Sequence, residues 1–164
     1  MIDHDLTKYN LHRAYNLQQK TSCILVPGQV ADDASVLCGG GPKGDNLSLS
    51  KRVRNANPNA FILYKPHPDV ESNLRLGALP KKTILRFADN CLENCGAAQA
   101  LRSCDAVHTG TSLMGFEALL RGISVTTYGQ PFYAGWGLTN DLGPRITRRK
   151  PGLTLLEFLY GYLI

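Results

Sequence analysis

Three short stretches of the sequence hold side chains whose types and spacing could do chemistry. Asp32 and Asp33 stand side by side in Pro27-Gly28-Gln29-Val30-Ala31-Asp32-Asp33-Ala34-Ser35. Adjacent carboxylates point in different directions, so one can act as nucleophile or base while the other orients it; an Asx turn or a helix cap would use the same residues. His67 is held between prolines in Lys65-Pro66-His67-Pro68. Prolines on both sides leave the backbone little freedom, which suits a titratable ring that must meet a phosphate or a leaving group; a rigid, solvated turn is the alternative. Lys65 adds a positive charge beside it. The third stretch is His108-Thr109-Gly110-Thr111-Ser112-Leu113. Thr111 and Ser112 make good caps for a following helix, and free N–H groups at a helix start, with its dipole, attract a phosphate. Glu117, further along that helix, could take ribose hydroxyls or simply favour the dipole.

These residues need a scaffold that brings them to one place. Short apolar runs at 23–26, 61–64, 84–87, 106–109 and 124–128 read as buried strands. Helical patterns at 46–55, 96–103, from Ser112 through Arg121, and 153–163 separate or follow them, and residues 1–20 read as an entry segment or linker. Strands alternating with helices predict an α/β, Rossmann-like three-layer sandwich around a parallel sheet of about five to six strands, over residues 21–164. Right-handed crossovers put all strand-to-helix loops at one edge, and ligands sit there, at the carboxyl ends of the strands. Every candidate residue falls in such a loop or just after it. A glycine- and aromatic-rich loop at 129–141, with the only tryptophan, is expected to line the ligand. A phosphorylation receiver domain would also carry acids after its first strand. It needs a lysine after the fifth, where this chain has Gly129-Gln130-Pro131.

Composition narrows the classes. The 164 residues suffice for about one domain, and 43% hydrophobic with 19% charged residues is ordinary for a globular one. No apolar run is long enough to span a bilayer. A net charge of +5 favours anionic partners. The one dense basic cluster, Arg145-Ile146-Thr147-Arg148-Arg149-Lys150, lacks interleaved aromatics and is a weak nucleic-acid signal. The five cysteines, with Cys91 and Cys95 as the one close pair, fit reduced, partly buried thiols better than zinc ligands or disulfides.

Four ordered motifs together resemble the bacterial capsule polysaccharide biosynthesis/export family of retaining β-Kdo glycosyltransferases. They are Val26-Pro27-Gly28-Gln29-Val30 with Asp32-Asp33-Ala34-Ser35; Tyr64-Lys65-Pro66-His67-Pro68-Asp69-Val70; Gly110-Thr111-Ser112-Leu113-Met114-Gly115-Phe116-Glu117-Ala118-Leu119-Leu120-Arg121-Gly122; and Pro131-Phe132-Tyr133-Ala134-Gly135-Trp136-Gly137-Leu138-Thr139. The resemblance implies one half of a GT-B fold, the donor-binding C-terminal half, with CMP-β-Kdo as the nucleotide-sugar donor and a lipid-linked Kdo linker as product. Within it, His67 and Pro68, with Lys65, would meet the CMP phosphate together with Thr111 and Ser112, and Glu117 would take the cytidine ribose. Retention by double displacement needs a carboxylate nucleophile, Asp33 first and Asp32 second.

No cofactor is implied, and a single phosphate offset by histidine, lysine and a helix start does not require a metal. The resemblance further implies a cytoplasmic location, peripheral at the inner face of the plasma membrane, with capsule assembly proteins as partners and no nucleic acid. The acceptor-binding half does not fit within 164 residues. The chain is therefore expected to be a fragment, inactive alone and completed by an N-terminal half. A non-catalytic nucleotide-binding or regulatory module is the competing reading.

Overall fold

The computed structural model describes residues 22–41 and 44–163; the expected entry segment at 1–20 lies outside them. Six parallel strands run β1 (Cys23–Pro27), β2 (Phe61–Lys65), β3 (Asn90–Cys91), β4 (Ala106–Thr109), β5 (Ser124–Thr127) and β6 (Asn140–Asp141) in chain order. Their order in the sheet is β3-β2-β1-β4-β5-β6, so the chain reverses direction across the sheet between β1 and β4.

Alternation along the central strands explains why they read as continuous apolar runs: both faces are covered. Leu25, Leu63, Val107 and Val125 point to one side and pack with Ala100, Leu101, Ala118, Leu119 and Phe158. Those partners come from α5 (Ala97–Arg102), α6 (Leu113–Leu119) and α7 (Leu155–Leu163). Ile24, Val26, Ile62 and Tyr64 point to the other side and meet Leu49, Val53 and Ile84, from α2 (Asn46–Ala56) and α4 (Lys81–Ile84). Two short helices, α1 (Ala34–Gly39) and α3 (Pro68–Glu71), follow β1 and β2 directly.

The expected third strand at 84–87 is not a strand. Pro80 starts the single turn α4 there; Ile84 is buried, whereas Leu85 and Arg86 are exposed. The strand comes later, at Asn90–Cys91, after the Asp89 carboxylate takes the Ile62 N–H at 2.7 Å and Arg54 at 2.6 Å. β6 falls inside the expected loop at 129–141. The last helix begins two residues later than expected because Thr154 and Glu157 form a capping box, the Thr154 N–H reaching the Glu157 carboxylate at 2.8 Å and the Glu157 N–H reaching Thr154 Oγ1 at 3.2 Å. No helix of the described residues is long and apolar enough to cross a membrane.

Candidate functional site

The crevice where the sheet order reverses is built by the loops after β1 and β4, the position at which open parallel sheets take ligands. Gln29, 5% exposed, joins the two loops. Its Oε1 accepts the Thr111 N–H at 2.8 Å and its Nε2 donates to Thr111 Oγ1 at 3.1 Å. Asn46 of α2 holds Gln29 from behind, accepting its N–H and donating to its carbonyl, both at 2.8 Å. Nothing in the local sequence marks Gln29, because both of its tethers come from far along the chain. The loop after β5 closes against the same point: the Gln130 N–H donates to Gly39 O at 2.7 Å. A Cβ on Gly129 would lie 2.6 Å from Gly39 O and 2.9 Å from Gly110 O, so three backbones meet at a spot with no room for a side chain.

Asp33 caps α1. Its Oδ1 accepts from the Ser35 hydroxyl at 2.7 Å and from the Ser35 N–H at 2.8 Å. These two bonds, with smaller contributions from Arg75 and His67, hold its carboxyl below the usual carboxylate range. Asp33 is exposed and ionised, and Oδ2 makes no hydrogen bond to a described residue. Asp32 differs: its Oδ1 is bound by Arg75 Nη2 at 3.0 Å and Nε at 3.3 Å. Arg75, which arrives from the loop after α3, was not among the residues expected here.

His67 caps α3, with Pro68 at the first helical position. Its Nδ1 accepts the Asp69 N–H at 3.2 Å and lies 3.8 Å from the Asp69 carboxylate, so in the neutral ring with that bond the proton sits on Nε2, which has no hydrogen-bond partner among the described residues. Lys65 lies beneath the loop rather than on its surface: it is 2% exposed and its Nζ donates to Pro66 O at 3.1 Å.

The turn before α6 is less open than its sequence suggests. The Thr111 N–H is taken by Gln29, the Ser112 N–H by Thr109 Oγ1 at 3.2 Å, and the Met114 N–H by Ser112 Oγ at 3.2 Å. Among the described residues Leu113 alone keeps a free N–H there; Gln29 and two side chains of the turn itself, Thr109 and Ser112, satisfy the rest. The Ser112 hydroxyl still has its own proton to donate. Glu117 sits in the second turn of α6, half-buried, its carboxylate 3.7 Å from Arg121; it does not line the cavity bounded by Ser35 and Thr111.

The aromatic loop mostly packs inward instead of lining a ligand. Tyr133 is fully buried and its hydroxyl donates to Ser112 O at 2.5 Å, which fixes the start of α6. Trp136 Nε1 donates to Phe132 O at 2.9 Å. Only the loop's first residues, Gln130 to Phe132, reach the edge cavity. Among the described residues no group of three or more His, Cys, Asp or Glu side chains could hold a metal ion.

Asp33, His67, Thr111 and Ser112 thus share one edge of a parallel sheet, on the loops after β1, β2 and β4. The chain belongs to the capsule polysaccharide biosynthesis protein family, whose profile matches residues 2–162. It is 47% identical over 166 residues to the capsule polysaccharide modification protein LipA of Neisseria meningitidis serogroup B, across 100% of this chain and 23% of LipA. Its fold matches KpsC of Thermosulfurimonas dismutans, a beta Kdo 2,7 transferase, with a TM-score of 0.78 and 44% identity over 90% of this chain and 46% of that one. The beta Kdo 2,4 transferase KpsC of the same organism matches at 0.71 and 34%, over 88% of this chain and 44% of that one. The chain therefore spans about a quarter of LipA and under half of either KpsC chain. The family inferred from the four motifs is the family found.

Proposed function

We propose that this chain is the donor-binding part of a retaining β-Kdo transferase that takes CMP-β-Kdo and builds the lipid-linked Kdo linker on which capsule is carried. The observation that carries the reading is that an ionised, exposed Asp33, His67 and the Thr111–Ser112 turn lie on one edge of the sheet, on the loops after β1, β2 and β4, in a fold shared, at 44% identity, with a Kdo transferase.

In this reading the CMP phosphate lies against His67 Nε2, the Ser112 hydroxyl and the Leu113 N–H, with Lys65 supplying positive charge from below. Asp33 Oδ2 attacks the anomeric carbon of Kdo as the bond to the CMP phosphate oxygen breaks, giving a Kdo ester of Asp33 and free CMP. His67 donates a hydrogen bond from Nε2 to the departing phosphate oxygen, offsetting the charge that builds there. An acceptor hydroxyl then displaces the carboxylate, its proton passing to the released CMP phosphate or to solvent, which restores ionised Asp33 and the original configuration. Asp32, tied to Arg75, orients its neighbour, and Glu117 turns to the ribose once Arg121 releases it. No step needs a metal. The acceptor site comes from the rest of the enzyme, working at the inner face of the membrane with the capsule assembly machinery.

Mass spectrometry of the full-length transferase after brief exposure to donor tests the chemistry. A Kdo adduct on the peptide carrying Asp33, absent in Asp33→Ala, is expected. An adduct that persists in Asp33→Ala contradicts the assignment. Donor release of CMP with no adduct and inverted product contradicts the double displacement.

A further inference from the structure

Beyond Thr111 the crevice widens into a cavity of about 570 Å³ whose far wall is the segment from Arg145 to Arg149, part of the basic cluster that the steps above leave unused. Its arginines divide into two kinds. Arg149 is structural: Nη1 donates to Pro131 O at 2.6 Å and to Ala134 O at 2.8 Å, and its guanidinium lies 5.7 Å from the Trp136 ring centre. That anchor fixes the segment against the aromatic loop. Arg145 and Arg148 line the cavity, are exposed, and make neither an ion pair nor a hydrogen bond with any described residue.

Asp141 accepts from Thr139 Oγ1 at 2.6 Å, Thr127 Oγ1 at 2.9 Å and the Gly135 N–H at 2.8 Å, so both of its oxygens are committed to the loop. The opposite wall carries Ser35 and Thr111, whose hydroxyls lead by hydrogen bonds of 3.4 Å and 2.7 Å to Asp33 Oδ1. Two unpaired guanidinium groups thus share a cavity with the hydroxyls that abut the candidate nucleophile. The volume lies within the range of roughly 300–1,000 Å³ usual for small-molecule sites.

We propose that Arg145 and Arg148 bind the carboxylate of the donor's sugar acid, a specificity site that rests on the donor reading above. A sugar acid linked to CMP carries a phosphodiester and a carboxylate. His67 and the α6 turn answer the first; among the described residues lining this cavity, Arg145 and Arg148 are the unpaired cations that can answer the second. Planar guanidinium forks match a carboxylate bidentately, which a lysine would not do. A neutral sugar in the same place would leave two cations facing it unpaired, so the pair selects for acids.

Binding of CMP and of freshly prepared CMP-β-Kdo to the wild-type chain and to an Arg145→Gln/Arg148→Gln variant tests this, with thermal unfolding as the check that the exposed substitutions leave the fold intact. The variant is expected to lose about tenfold or more in affinity for CMP-β-Kdo, as for loss of charge-assisted bonds, while CMP changes by less than about twofold. Equal weakening of both ligands, or no change in either, overturns the proposal while leaving the donor site standing. Unchanged CMP-β-Kdo affinity with loss of a simple Kdo glycoside overturns it in favour of an acceptor carboxylate. Failure of the wild-type chain to bind CMP brings down the donor reading, and this inference with it.

Discussion

Gln29 and Thr111, 82 residues apart, are clasped by two hydrogen bonds of 2.8 and 3.1 Å across the point where the sheet order reverses. The clasp lets a loop after the first strand and a loop after the fourth act as one surface. Through Thr111 Oγ1 and Ser35 Oγ it also runs on to Asp33.

Removing the clasp leaves the buried Thr111 N–H without a partner. Gln29→Ala is expected to destabilise the fold by about 1–3 kcal/mol, read from the shift of a urea unfolding midpoint. Gln29→Glu keeps the acceptor for Thr111 N–H but loses the donor to Oγ1 and buries a charge, so it should be no better. Wild-type stability in Gln29→Ala would show that the two loops are held elsewhere.

The start of α6 depends on a fit between a glycine and a buried tyrosine. A Cβ on Gly115 would collide with the Tyr133 hydroxyl, and Tyr133 is fully buried while it holds Ser112 O. Gly115→Ala is expected to cost about 1–3 kcal/mol by overpacking. Combining it with Tyr133→Phe, which removes the colliding oxygen, should recover part of that loss in a double-mutant cycle.

Acid should unfold the domain through His108. It is 8% exposed on β4, its Nδ1 lies 3.2 Å from the Tyr128 hydroxyl, and burial pushes its pKa from 6.5 down to about 4. Between those values the unfolded chain binds a proton that the folded chain refuses. Stability is therefore full above about pH 6.5 and falls as pH drops toward 4, by about 3 kcal/mol in all. Urea unfolding across this window should show the slope in wild type and a flatter line in His108→Asn. An unchanged slope would mean that other groups set the acid limit.

Thiol chemistry should single out Cys38. Burial pushes the Cys23 and Cys91 thiols up to about 11 and that of Cys104 to about 12, and Cys95 is raised by burial as well, whereas Cys38 is exposed and lines the edge cavity. Iodoacetamide at neutral pH is expected to label Cys38 first, and a ligand filling the cavity should slow that labelling. Faster labelling at another cysteine would contradict the burial pattern.

The central strands were legible because burial on both faces leaves nothing but apolar residues in Ile24-Leu25-Val26, Ile62-Leu63 and Val107. β3 and β6 were not, since Asn90, Asn140 and Asp141 join the sheet by backbone pairing to β2 and β5 and carry no apolar signal. The run at 84–87 misled because one buried residue, Ile84, suffices to seat a helical turn. At the candidate site, the local settings of Asp33, His67 and Ser112 could be read because capping and proline restraint are local effects. Gln29 and Arg75 could not, because their partners are 82 and 43 residues away. The aromatic loop was read as a ligand wall from its composition; the burial of Tyr133 and the inward bond of Trp136 show that these two aromatics serve packing, while Gln130 to Phe132 reach the cavity.

The most direct test is titration of CMP into the chain, followed by amide chemical shifts, for wild type and His67→Ala. Saturable shifts confined to the loops after β1, β2 and β4, weakened severalfold by His67→Ala, are predicted. No shift on adding CMP, or shifts that ignore His67, would contradict a nucleotide-sugar site at this edge.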